Sequence, residues 1–161
     1  MAHTFTQRYG PLSFKLTALL YATTFVHHIY GGLAFRSTER TVLAVVFSVV
    51  FLITYLIYRR ASARRWAATA YWLLVYGFWV GLLGLFEGFY NHTLFVVLRA
   101  SGYTGLDRLY GAASDARISD DLLFQATGVL TFVFAVVLGL TPLLARKRIQ
   151  LMRDVRQDLA G

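Results

Sequence analysis

The chain has 161 residues, 57% of them hydrophobic and 15% charged, a net charge of +8 and no cysteine. That balance is too apolar for a soluble domain, and the length leaves room for a single bundle of membrane-crossing helices. Without cysteine, disulfides, thiolate metal sites and cysteine-held iron–sulfur clusters are excluded.

Four apolar runs have the ~20 residues that a hydrocarbon core about 30 Å thick demands: residues 14–35, 41–58, 66–90 and 122–145. Backbone polar groups in lipid must be satisfied within their own segment, so each run is expected to be an α-helix. The first follows Arg8 and Lys15 but exceeds the ~7–15 apolar residues of a leader, and no small-residue cleavage site follows His27-His28, so a retained span is expected. The second offers only Ser48, Thr54 and Tyr55 as polar groups and reads as the lipid-facing wall. In the third, Gly77, Gly81, Gly84 and Gly88 fall within about 60° of one another at ~100° per residue, with Asn91 on the same stripe. Small residues so spaced let another helix approach closely, and Gly31-Gly32 of the first run is the expected partner. A loop over 98–121 carries Gly102, Gly105 and Gly111 among Tyr103, Leu106, Leu109 and Tyr110, a composition suited to an interfacial cap. The fourth run places Asp121, Gln125, Gly128, Ala135 and Gly139 on one face, and a basic tail, 146–161, follows it.

The basic residues sort by connection. Arg8 and Lys15, then Arg59, Arg60, Arg64 and Arg65, then Arg146, Lys147, Arg148, Arg153 and Arg156 would share one side; Arg36, Arg40, Arg99, Arg108 and Arg117 would share the other, beside Glu39, Asp107, Asp115, Asp120 and Asp121. By the positive-inside rule both termini are expected in the cytoplasm and loop 98–121 outside. The expected fold is therefore all-α: one integral membrane domain over 1–161, an up-down four-helix bundle, multi-pass in the cell membrane. Its expected partners are the lipid bilayer, a lipophilic small molecule, and a second copy or a larger membrane complex. The scattered charges form no stripe for nucleic acid, and none is expected.

Function is to be sought in the few titratable and amide side chains set at membrane depth, where a charge costs roughly 2.5–3.5 kcal/mol on insertion scales. These are His27, His28, Glu87, Asn91, His92 and Gln125. Counting about 1.5 Å per residue, they converge on one level near the outer ends of the first, third and fourth runs. Glu87 with His27 or His28 could act as an acid–base pair, since burial disfavours a carboxylate's charged form and an imidazole can share or pass the proton. Asn91, His92, Gln125, Tyr30 and Tyr90 would line a pocket for the ligand.

His27, His28, Glu87 and His92 also form a possible metal set of zinc or iron type. On a regular helix, however, Glu87 and His92 stand about 140° apart and could share an ion only if the helix unwound near Gly88. Haem between a first-run histidine and His92 lacks a second facing pair. The sequence thus leaves three readings open: a binder or enzyme of a lipophilic ligand using acid–base chemistry, a non-catalytic accessory subunit whose polar groups only join helices, and a metal or haem protein. It names no cofactor and no reaction.

Overall fold

The computed structural model describes the backbone of residues 2–111, 118 and 120–158, and side chains for 9–111, 118 and 120–141. Arg8, Asp115, Arg117 and the basic side chains from Arg146 to Arg156 lie outside these described residues. The elements are α1 (Ala2–Ala34), α2 (Thr38–Ala61), α3 (Arg65–Leu73), a π-helix (Leu74–Leu94), α4 (Phe95–Ala100), α5 (Leu106–Tyr110) and α6 (Leu122–Asp158), with no strand among the described residues. α3, the π-helix and α4 join into one unbroken helical run, Arg65–Ala100.

Three helices are long and apolar enough to cross a membrane: Thr38–Ala61, Arg65–Ala100 and Leu122–Thr141. α1 is not among them, because Thr17, Thr23, Thr24, His27 and His28 lower its hydropathy. Those polar side chains are not distributed at random. Ser13, Thr17, Thr24, His27 and His28 are buried, whereas Leu12, Leu19, Val26 and Leu33, one every seven residues, are exposed. The helix is polar inside and apolar outside, the reverse of a helix on a water-soluble core.

α1 packs on α2 and α6, α2 on α3, and the π-helix chiefly on α6. Near the turn joining α2 to α3 the interior is aromatic and apolar. Phe14 stacks on Tyr58 with ring centroids 4.6 Å apart and Tyr21 on Phe51 at 4.3 Å. Trp79 is fully buried against Tyr21 and Phe51, its Nε1 donating to Thr54 Oγ1 at 3.0 Å. Thr54 of the expected lipid-facing wall therefore points inward. The opposite end, where α1 turns into α2, holds the polar cluster.

That turn is tightly built. Ser37 N-caps α2, its hydroxyl accepting from the Arg40 N–H at 3.4 Å, and Glu39 stands in the first turn where a negative charge favours the helix dipole. Arg36 takes a left-handed conformation, φ 53°, as the chain reverses. Gly31 and Gly32 do not meet the third run as expected. Gly31 abuts Phe124 of α6, and Gly32 abuts Thr41 of α2.

Nor do the four glycines of the third run act as one stripe. Gly84 meets Ala135 and Gly88 meets the Phe132 backbone, both on α6, whereas a Cβ on Gly77 would touch nothing within 4 Å. The change of helix type is the reason: a stripe drawn at α-helical pitch does not stay on one face of a π-helix. A Cβ at Gly88 would lie 2.6 Å from Phe132 N and must push two backbones apart. Gly88→Ala is expected to destabilise by roughly 1–3 kcal/mol, and Gly77→Ala to be neutral or stabilising by up to about 1 kcal/mol; thermal unfolding of both variants in detergent measures the contrast.

Candidate metal centre

Three helices deliver the cluster. α1 contributes the adjacent His27 and His28, the π-helix contributes Glu87, Asn91 and His92, and α6 contributes Gln125 and Thr127. Glu87 Oε1 lies 3.7 Å from His27 Nε2, 3.7 Å from His28 Nε2 and 3.6 Å from His92 Nε2. The ligand atoms of His27, His28 and Glu87 all lie within 4.8 Å of one another. His27, His28 and His92 are buried, and the Glu87 side chain is 18% exposed.

The surrounding hydrogen bonds fix which ring nitrogen faces inward. Gln125 Nε2 donates to the Ile118 carbonyl at 3.2 Å, so its Oε1 is the atom facing His92 Nδ1 at 3.0 Å and must accept the Nδ1–H. Thr127 Oγ1 lies 2.8 Å from the Leu123 carbonyl, 3.0 Å from the Phe124 carbonyl and 2.9 Å from His27 Nδ1, which ties that ring nitrogen to α6. His92 Nδ1 carries a proton, and Nε2 is the ring nitrogen that His27 and His92 each turn towards Glu87. His27 Nε2 and both ring nitrogens of His28 are buried with no hydrogen-bond partner. The other carboxylate oxygen, Glu87 Oε2, accepts from Asn91 Nδ2 at 2.8 Å, which turns Oε1 towards the imidazoles.

The convergence of Glu87 and His92 depends on the π-helix. Hydrogen bonds closing i to i+5 put more residues in each turn than an α-helix has, so side chains four and five apart fall together. Thr93 marks the pattern, its hydroxyl donating to the carbonyl of Gly88 five residues back at 3.0 Å. The separation of about 140° expected between Glu87 and His92 is thereby overturned.

Separations of 3.6–3.7 Å exceed hydrogen-bond length. They are close to the edge of a coordination tetrahedron, about 3.3–3.6 Å when imidazole nitrogen and carboxylate oxygen stand about 2.0–2.2 Å from an ion. His27, His28 and Glu87, whose ligand atoms lie mutually close, could thus hold one metal ion through two nitrogens and one oxygen, with His92 Nε2 beside them at 3.6 Å from Glu87 Oε1. Hydrogen bonds from the far side of ligating imidazoles, as Thr127 and Gln125 supply, are the usual support of such sites. Haem fits poorly: the His27 and His92 rings lie edge-on with centroids 4.5 Å apart, leaving no slot for a macrocycle between them.

A cavity of about 540 Å³ adjoins the cluster, bordered by His28, Glu87, Asn91, His92 and Gln125. Its remaining wall is largely aromatic, from Phe35, Phe86, Tyr90, Phe95 and Phe124. α5 roofs it: the Tyr110 hydroxyl donates to the Tyr90 carbonyl at 2.9 Å, and the Tyr90 hydroxyl to the Leu109 carbonyl at 3.3 Å. Tyr30 does not border this cavity; its hydroxyl donates to Asp121 Oδ2 at 2.8 Å, while Asp121 Oδ1 caps α6 through the Phe124 N–H at 2.9 Å. Sequence reasoning missed Thr127 and Phe124, whose ring stacks on His27 at 4.1 Å. It also counted Arg40 only as a topology charge, although Arg40 borders the cavity.

No family model, curated protein or solved structure matches the chain, so the chemistry of these residues must carry the functional conclusion. Thr127→Val keeps the side chain's shape and removes the hydroxyl partner of His27 Nδ1, and affinity for an added divalent metal ion is expected to fall about 10–100-fold. Thr131→Val alters a comparable hydroxyl, paired with Thr24 at 3.4 Å away from the imidazoles; it should leave the affinity unchanged in a competition titration against a chromophoric chelator.

Proposed function

We propose that this chain is a metal-dependent membrane protein, in which His27, His28 and Glu87 hold one divalent transition-metal ion, with His92 next to them, beside a cavity that admits an amphipathic molecule. The observation that carries the reading is the mutual approach of the His27, His28 and Glu87 ligand atoms, all within 4.8 Å of one another, with His27 Nε2 and both His28 ring nitrogens buried and unpartnered. A cation among them would satisfy these ring nitrogens and the carboxylate together. Imidazole with carboxylate and no thiolate suits zinc or iron(II) rather than copper(I). His28, Glu87 and His92 border the cavity, so a molecule there can reach the ion as a further ligand, as metal sites that act on substrates require.

Acid–base transfer between Glu87 and an imidazole is the weaker reading, because it needs a hydrogen bond and none of the three contacts is short enough. The accessory-subunit reading treats the cluster as helix joinery. Joinery is present elsewhere, at Ser13–Tyr71 and Tyr21–Ser48, and there the polar atoms are paired at 2.8 and 2.9 Å.

The bundle belongs to the same proposal: four membrane-crossing helices running up and down, with both termini cytoplasmic. α1 joins the three more apolar helices as a span because its polar face is turned inward and its exposed stripe is apolar. The metal centre then lies in the outer half of the bilayer under α5.

Elemental analysis of the detergent-purified protein is expected to find about one zinc or iron per chain, and His28→Ala and Glu87→Gln to lose it. Absence of metal, with no thermal stabilisation by added zinc(II) or iron(II), would sink the reading. Because protons compete with the ion for imidazole nitrogen, metal affinity should fall as pH drops. For the topology, single cysteines at Ser62 and Thr104 in this cysteine-free chain are expected to label only from the inside and only from the outside respectively; outside labelling at position 62 reverses the orientation.

A further inference from the structure

Arg40 is the unexplained charge beside the centre. It lies in the first turn of α2, half-buried, and borders the cavity. Its guanidinium carbon stands 4.5 Å from the Phe124 ring centroid and 5.7 Å from that of Phe35. Among the described residues it forms no ion pair, since the four contacts of that kind join histidines to Glu87 or Arg99 to Asp120. The carboxylates on the cavity wall, Glu39 and Glu87, are thus both beyond ion-pair distance of it. A guanidinium fork of N–H donors, positioned by two aromatic rings at the edge of a cavity, is the side chain best suited to grip a planar anion in two places.

The cavity wall also shows how such an anion would arrive. Leu43 of α2 and Phe86 of the π-helix border the cavity and are also exposed on the outside of the bundle, at 40% and 54%. α2 packs chiefly on α1 and α3, and the π-helix chiefly on α6, so Leu43 and Phe86 present apolar surface at the cavity's edge from two helices that are not each other's main partners. Such a border suits an apolar chain whose head remains inside.

We infer that the cavity binds a carboxylate carried on an apolar chain, its head held between Arg40 and the metal centre and its tail passing between Leu43 and Phe86. The inference rests on the metal reading for the second contact to the head and on Arg40 for the first. A divalent ion and Arg40 together outweigh Glu87 and the exposed Glu39, so in a low-dielectric cavity a neutral or cationic head is disfavoured.

Dodecanoate, dodecanol and butyrate are the probes, titrated calorimetrically into the purified protein in neutral detergent, with metal content measured on the same samples. Dodecanoate is expected to bind about tenfold or more tightly than either of the others. Arg40→Gln should abolish the preference for dodecanoate over dodecanol while retaining the metal, and Arg40→Lys should restore part of it. Equal binding of dodecanol overturns the anionic head, and equal binding of butyrate assigns the anion to a soluble carboxylate and overturns the apolar chain. Undiminished dodecanoate binding in Arg40→Gln removes Arg40 from the site. Arg40-dependent binding to a metal-free protein would uphold the Arg40 contact and the apolar chain and defeat the metal centre with its contact to the head; a metal-loaded protein without dodecanoate binding would overturn the inference and leave the metal centre standing.

Discussion

Everything at the polar end of the bundle depends on one electrostatic constraint: three imidazole nitrogens surround one carboxylate oxygen, each 3.6–3.7 Å from it, beyond hydrogen-bond length. A buried polar atom left unpaired costs about 1–3 kcal/mol. Among the described residues four buried side-chain atoms lack a partner, and three belong to His27 and His28. The rest of the interior shows how readily this chain pairs its polar atoms: Trp79 with Thr54, Tyr21 with Ser48 and Ser13 with Tyr71 all lie within 3.0 Å. Unpaired atoms gathered at one point, in a chain that pairs them elsewhere, mark a place shaped for something other than helix joining.

The backbone is bent to that end. An α-helix over Leu74–Leu94 would carry Glu87 and His92 to different sides, whereas i→i+5 closure gathers Glu87, Asn91 and His92 onto one side. Such helices are rare and concentrate at functional sites, because wider turns pack less well than α-helical ones. Here the π-helix is sustained by close contact with α6, where Gly84 and Gly88 admit Ala135 and the Phe132 backbone, and Gly128 admits the His92 ring. The glycines therefore serve the site twice, by letting two helices touch and by leaving space for the imidazole that α6 orients through Gln125.

Much of this was legible in the sequence, and the part that was not has a definite physical origin. Apolar length predicts all-helical structure and the three most apolar membrane helices. The rarity of charge at membrane depth singles out His27, His28, Glu87, Asn91, His92 and Gln125, and the structure brings them together. What sequence reasoning got wrong followed from taking 100° per residue as given. The buried positions Val75, Trp79, Leu83, Gly84, Gly88 and His92 recur every four or five residues, a period longer than an α-helix allows, and that period was the available signal. Tyr30 was misjudged for a different reason: nearness in sequence to His27 and His28 does not give it their direction, and Asp121 captures its hydroxyl. Thr127 gave no signal at all, because a threonine within a helix ordinarily bonds only its own turn.

The charge balance ties the proposals into one physical picture. A lone carboxylate among buried imidazoles is a net negative charge in a medium that penalises it, softened only by the Asn91 amide. A divalent ion reverses the sign, leaving the centre positive by one, and Arg40 at the cavity edge adds to that excess while Glu39, exposed, offsets little of it. A positive site of this size in an apolar surround favours an anion that completes it, and the aromatic wall with Leu43 and Phe86 at its edge suits an anion that also carries an apolar chain. Histidines, carboxylate, arginine and aromatic wall each make incomplete sense alone; with an ion and an anionic amphiphile in place, every buried charge has a partner and every apolar surface has a neighbour.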